Sequence, residues 1–351
     1  LFELSIQQID SVDKIFDFHS YLLNSTIGVV ILSLIDYSLL SAQMASTNQA
    51  IRWEDDIRQK FDLCIEKRVI DIYVTLGMYF KNIYYLDQEW TTQTIRSYYN
   101  LEKKYWLAFL EGISFSMPDY NKTTYSLLSP HYQKAISLEF KLKDRYQRHI
   151  IEHITTHYLW EFEELESDGL LFTILCSEHH DYINFTIMYL IRQKELMRNY
   201  HDYELRIKFE KLIFDLWSFL AKQYRYPDNL AVKENLQLLL SLFGLSERLE
   251  KKYIELFGYY TEGLIINHIN LEFVGELKKY ILTDISPSVA IYIANILNMT
   301  TFVDGVILMI SEDIKELIVY LFNNNQRPSA EKLCDEVQRQ GYDFVKPIIQ
   351  S

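Results

Sequence analysis

Glycine and proline are scarce in this chain, with 10 and 6 among 351 residues. An all-β protein turns too often to manage with so few, so long helices joined by short polar links are favoured. Cysteine is rarer still. Cys64, Cys176 and Cys334 are far apart and form no C-x-x-C pair, which excludes a disulfide scaffold and a zinc ribbon and suits a reducing, cytoplasmic compartment. Glycine never precedes lysine and no G-x-G occurs, so the phosphate-cradling loop of a Walker-type NTPase is missing. The nucleophile elbow G-x-S-x-G and the zincin H-E-x-x-H are missing too. No basic-then-apolar leader pattern opens the sequence. Its first residue is Leu, not Met, so a fragment, a processed product or the ordered part of a longer protein is expected.

Positive charge is also in deficit. The net charge is −13, so the chain repels phosphate backbones unless a local basic stripe intervenes. Lys141, Lys143, Arg145 and Arg148 come nearest to one, but Asp144 interrupts them, and a solvated helix face explains them. Nucleic acid is not an expected partner.

What the chain does have is apolar and aromatic bulk. Hydrophobic residues make up 49% against 24% charged, enough for a large core. Leu205, Phe209, Leu212, Ile213, Leu216, Trp217 and Leu220 repeat at helical spacing and define one apolar face. Similar periodicity predicts helices over 5–23, 27–45, 49–86, 91–116, 131–164, 170–199, 203–224, 231–243, 246–258, 272–282, 288–297, 301–322 and 329–340, some of the longer ones breaking in two. Pro118, Pro130, Gly169, Pro227, Gly244, Gly258, Pro287, Pro328 and Gly341 punctuate them. Leu171–Cys176 has a strand-like composition in a helical setting. The only internal echo is Leu-Phe-Gly at 242–244 and 256–258. So many helices do not fit easily around one core. The expected fold is all-α, an irregular stack of helical hairpins (an α-solenoid of HEAT or TPR character), with an N-terminal helical region over 1–125 and a helical-repeat region over 126–351.

Ile27–Ala45 approaches the ~20 apolar residues that span a bilayer. Asp36 at its centre, three serines and the lack of flanking basic residues make it a buried core helix instead, and no membrane is expected. Aromatic residues reach 15%. Rings filling gaps between irregular hairpins account for them, with a protein-binding surface as the other reading.

Histidine is unevenly spread. His149, His153 and His157 recur every fourth residue on one predicted helix, and such a spacing can chelate a metal. Glu178, His179, His180 and Asp181 follow. Separated histidines and a His-Asp pair in a helical chain are similar to the HD phosphohydrolases, where these residues hold a divalent metal. Against this, the α-helical stripe of Tyr146, Ile150, Ile154 and Tyr158 interleaves with the three histidines, as in a packed seam. The residues after Asp181 also lack an HD continuation, and no distal Asp is identifiable. The expectation is therefore no metal, no cofactor and no catalytic residue. An acidic run, Glu161, Glu163, Glu164, Glu166 and Asp168, reads as a solvated loop or a face for a basic partner.

From about Ile151 onward, HITTHYLWEFEELESDGLLFTILCSEHHDYINFTIMYLIRQ, then LIFDLWSFLAKQ and the closing RPSAEKLCDEVQRQGYDFVKPI, resemble the C-terminal helical-repeat region of bacterial STAND-type antiphage NTPases. The resemblance implies a non-catalytic sensor or regulatory region that binds a protein ligand or further domains of a larger chain, in an assembly that can oligomerise. The NTPase and any effector activity would lie upstream of residue 1, and none of the family's Walker residues has a match here. A freestanding helical adaptor or scaffold is the alternative.

Overall fold

The structure, a computed structural model, describes residues 17–45, 52–116, 118, 120–137, 144–198, 201–224, 264–266, 287–298, 300–302 and 306–349. Lys141, Lys143, Pro227, Gly244, Gly258, the Leu-Phe-Gly echo and the predicted helices 231–243, 246–258 and 272–282 lie outside these residues. The chain is mostly helical and divides into two compact units, Leu1–Ile174 and Leu175–Ser351. Residues 125 and 126, where the sequence suggests a division, fall inside one helix of the first unit.

In the first unit the helices are α1 (Phe18–Asn24), α2 (Thr26–Met44), α3 (Asp55–Glu66), α4 (Ile70–Met78), α5 (Phe80–Leu86), α6 (Gln88–Tyr98), α7 (Lys103–Phe115), α8 (Lys122–Ile136) and α9 (Asp144–Leu159), with α10 (Leu170–Leu175) at the unit boundary. The predicted helix 49–86 is thus three helices over its described residues, one break more than expected of a long helix. Arg68, in the left-handed region at φ 57°, ends the first break, and Tyr79 leaves helical geometry at the second. Pro130 is not a stop. It sits inside α8, where the carbonyl it deprives of a partner, that of Ser126, takes a long 3.4 Å hydrogen bond from the Ser129 hydroxyl. Leu170–Leu175 is helix, as its setting suggested.

The centre of this unit is the crossing of α4 and α7, its most extensive helix contact. Every residue from Ile70 to Gly77 is buried, Asp71 and Thr75 among otherwise apolar or small residues. The two backbones meet at glycines. A Cβ on Gly112 would lie 2.1 Å from the Val74 carbonyl oxygen, and one on Gly77 would lie 2.2 Å from that of Phe109. Helices α1, α2, α3 and α5 pack around α4, and α9 packs on α7.

Two buried carboxylates of the central pair are spent on helix starts. Asp71 accepts the hydroxyl of Ser25, which in turn accepts Gly28 N–H at 2.8 Å and so caps α2. Burial pushes the Asp71 carboxyl up, and the Ser25 hydrogen bond opposes it. Glu111 accepts His19 N–H at 2.9 Å in the first turn of α1. Glu111 thus meets a first-turn backbone donor directly, and Asp71 orients the hydroxyl that does so.

The second unit contains α11 (His180–Arg198) and α12 (Tyr203–Gln223), which pack together. Of the face read from its spacing, helix α12 buries Phe209, Ile213, Leu216, Trp217 and Leu220, leaves Leu205 and Leu212 half-buried, and adds Phe214. Next come β1 (Leu264–Ile266), α13 (Pro287–Asn298) and β2 (Thr300–Phe302). The two short strands pair in parallel, Leu264 opposite Thr300. This pair is a small exception to the all-α expectation, and residues 301 and 302 are strand where helix was predicted. Then come α14 (Val306–Met309), α15 (Ser311–Asn323), α16 (Arg327–Arg339) and α17 (Lys346–Ile349). Helices α13, α15 and α16 form a three-way cluster around Ile293, Leu317, Leu321, Leu333 and Val337. Pro328 starts α16, and Gly341 follows its end at φ 91°, the left-handed position glycine occupies without strain.

Candidate functional site

The sequence directs attention to histidine, and the structure sorts the histidines by what they touch. Helix α9 carries His149, His153 and His157 on successive turns. His153 is buried between α8 and the end of α7. Its Nε2 lies 3.0 Å from the Ser116 carbonyl oxygen and its Nδ1 lies 3.0 Å from the Tyr132 hydroxyl. A carbonyl only accepts, so Nε2 holds the proton and the Tyr132 hydroxyl donates to Nδ1. His157, also buried, donates from Nδ1 to the His153 carbonyl at 2.5 Å and stacks on Tyr125 at 4.2 Å.

A third ring, which the spacing did not single out, completes the set. His131, on α8, donates from Nε2 to the Ile95 carbonyl at 3.1 Å and accepts the Trp106 indole N–H on Nδ1 at 3.2 Å. Both partners have a fixed sense, so His131 is held in one neutral tautomer. It ties α6 and α7 to α8. Burial pushes the His131 pKa down to about 4. Burial, followed by the neighbouring His157, pushes His153 down to about 3. Such rings act as hydrogen-bonded bolts in a helix seam. Both nitrogens of His131 and His153 are already committed, and a metal ion would have to displace those bonds.

The remaining candidates are placed differently. His149 is half-buried, with Nδ1 3.3 Å from Glu152, which also takes Arg148 at 2.8 Å. His179 and Asp181 are exposed, and His179 packs on Tyr182 with ring centroids 5.0 Å apart. His180 opens α11 and is partly buried. The α9 histidines belong to the first unit, whereas His179, His180 and Asp181 belong to the second. Among the described residues no group of three or more His, Cys, Asp or Glu converges in a way that could hold a metal ion.

In the acidic run Glu161, Glu164, Glu166 and Asp168 are exposed in a turn-rich loop, as the solvated-loop reading expects, and Glu163 alone departs from it. Glu163 is buried. It accepts the Tyr125 hydroxyl with one oxygen and Leu171 N–H at 3.2 Å with the other, so it caps α10. Burial and this carboxylate both raise the Tyr125 pKa. Glu161 adopts φ 58° just before it, in the turn that brings the chain around.

Aromatic residues divide between core and surface. Tyr73, Tyr98, Trp106, Phe109, Tyr132 and Trp217 are fully buried, and Trp53 lies edge-on to both Phe61 and Trp90, at 4.8 and 5.0 Å. Outside the core, α2 carries the longest row of exposed large apolar side chains among the described residues. This is the one described helix long and apolar enough to cross a membrane by length and composition, and a third of its apolar window is buried, 33%. One face packs Ile27, Ile31, Ile35 and Ala42 inward, with Ser38 accepting the Trp53 indole N–H at 3.1 Å. The other presents Val29, Tyr37, Leu40 and Met44 at 51, 53, 57 and 77% exposure. No protein-family model matches the chain, and neither the curated proteins nor the solved structures contain a match to it.

Proposed function

We propose that the chain is a non-catalytic, protein-binding helical region, an irregular array of hairpins that serves as the sensor or regulatory arm of a larger bacterial NTPase of the STAND antiphage type. The observation that carries the binding role is the outer face of α2. Val29, Tyr37, Leu40 and Met44 lie at i, i+8, i+11 and i+15, so they form a stripe along a helix whose other side is anchored in the core. An exposed apolar row of this kind, interrupted by Ser33 and Asp36, is a liability for an isolated protein and an asset at an interface. Asp36 is exposed on the same helix. Glu54 borders the stripe, accepting the Tyr37 hydroxyl at 3.2 Å and the Ser41 hydroxyl at 3.0 Å. The complementary partner is a protein segment with an apolar centre and a basic edge.

The array reading is supported by the packing of sequence neighbours, α5 on α6, α8 on α9, α11 on α12 and α15 on α16. The α4–α7 crossing is a more compact knot within the array. Small shifts between neighbouring hairpins would let a ligand bias an attached two-state motor. The test uses the full-length native gene product and its L40D/M44D variant. A P-loop should precede residue 1, and the variant should keep basal ATP turnover while losing protection of cells against phage. A gene product without a P-loop sinks the sensor assignment and leaves the freestanding adaptor. Full protection by the variant sinks the α2 surface.

A further inference from the structure

Between α6 and α8 lies a cleft of about 180 Å³, lined by Thr92, Arg96, Thr123, Ser126, Leu127 and Pro130. We propose that it binds a small carboxylate that also carries a hydrogen-bond donor, a ligand of amino-acid size. Arg96 is the only charged residue in the lining. Among the described residues it makes no ion pair or hydrogen bond, in a chain whose net charge is −13. The hydroxyls of Thr92 and Thr123 are likewise unused within the described protein. Ser126 donates its hydroxyl to Lys122 O at 2.9 Å and keeps its oxygen as an acceptor.

Pro130 adds a second polarity. With no N–H to give, it leaves the Ser126 carbonyl only the 3.4 Å contact from Ser129, so an acceptor for a ligand N–H or O–H remains at the same residue. The walls are held in place by the neighbouring bolt, because His131, next to Pro130, is bonded to the carbonyl of Ile95, next to Arg96. The cleft does not depend on ligand to exist.

The choice of carboxylate over phosphate follows from charge. A guanidinium matches one carboxylate through two parallel hydrogen bonds. A phosphate dianion is typically met by more cations or by a glycine-rich backbone loop, and this lining has neither. Size agrees. A cavity of about 150 Å³ accommodates a benzene-sized molecule, so this one takes a ligand of amino-acid dimensions. The competing explanation is that Arg96 merely balances the C-terminal dipole of α6, in whose last turn it sits.

Lysine keeps that charge and loses the two-pronged geometry, so R96K separates the two roles. Binding of L-alanine, propionate and inorganic phosphate at matched ionic strength would be measured by calorimetry on wild type, R96K and T123V, alongside the melting temperature of each. L-alanine should bind saturably, more tightly than propionate and well above phosphate. R96K should weaken L-alanine about tenfold or more and T123V severalfold, with the unliganded melting temperature of R96K unchanged. The proposal is overturned if neither carboxylate saturates by about 0.1 M. It is also overturned if phosphate binds more tightly than L-alanine, or if R96K binds as wild type does.

Discussion

The two compact units treat histidine in opposite ways. In the first, His131, His153 and His157 are sunk among aromatic rings, and both nitrogens of His131 and His153 are spent on fixed partners. In the second, His179 lies exposed and His180 half-buried at the start of α11. The same residue type, dense over one stretch of sequence, thus serves as internal fastening on one side and as surface on the other. What separates the two cases is the supply of fixed acceptors and donors. Ser116 and Ile95 offer carbonyls, Trp106 an indole N–H, and each is brought in by a helix remote in sequence. The first unit should therefore depend on helix placement and on pH in ways the second does not.

The strongest way to break that arrangement is at the glycine crossing that brings α7 to α4. In G112A the new methyl would sit 2.1 Å from the Val74 carbonyl, and backbone cannot yield as a flexible side chain does. We expect a loss of at least about 3 kcal/mol in chemical unfolding. Hydrogen exchange should accelerate over residues 70–115 more than over α15 and α16. A loss below about 1 kcal/mol would mean the crossing re-spaces easily and is not the anchor of the unit.

Next in size is the pH dependence carried by the bolts. An unfolded histidine titrates near 6.5. The folded pKa values are depressed, to about 4 for His131 and about 3 for His153. Below about 6.5 the unfolded chain binds protons that the folded rings refuse, so stability is fully present above that pH and falls as the solution is acidified toward the folded values. Each ring contributes a slope of up to about 1.4 kcal/mol per pH unit in that window. His131 is the stricter case. The Tyr132 hydroxyl can rotate to accept from a charged His153, but an indole N–H cannot accept from a charged His131. H131Q should reduce the slope of stability against pH between 6 and 4.5 by about one proton equivalent. An unchanged slope would remove His131 from the set.

How much of this was legible in the sequence follows from the range of the interactions. The face of α12 was readable, because a helix periodicity is local and Phe209, Ile213, Leu216, Trp217 and Leu220 carry it within five turns. The breaks within 49–86 were not, because Arg68 and Tyr79 leave helical geometry with no proline or glycine at either position to mark the turn. Pro130 misled for a related reason, since a helix absorbs a proline when a nearby hydroxyl takes up the orphaned carbonyl. At the candidate site, the turn-by-turn spacing of His153 and His157 was visible and so was their apolar stripe. His131 was missed because Trp106 and Ile95, which define its role, lie 25 and 36 residues away. Glu163 was hidden inside an acidic run whose other members give no sign that one of them turns inward to Tyr125 and α10.

The smallest expected effect sharpens the comparison from the second unit. His179 and His180 lie at the start of α11, where His179 touches Tyr182 through a tilted ring contact at 5.0 Å and no fixed donor or acceptor engages it. Replacing both with alanine removes little buried surface and strands no buried partner, so H179A/H180A should change unfolding stability by less than about 0.5 kcal/mol. The same variant tests the phosphohydrolase reading directly. A metal held by His180 and Asp181 would bind the folded chain only, so added Mn²⁺ or Zn²⁺ would raise the melting temperature of the parent and not of the variant. We expect no such difference. A metal-dependent rise that vanishes in H179A/H180A would place a metal centre in the second unit and reverse the contrast, making its surface histidines the functional ones and the buried bolts of α8 and α9 mere scaffolding.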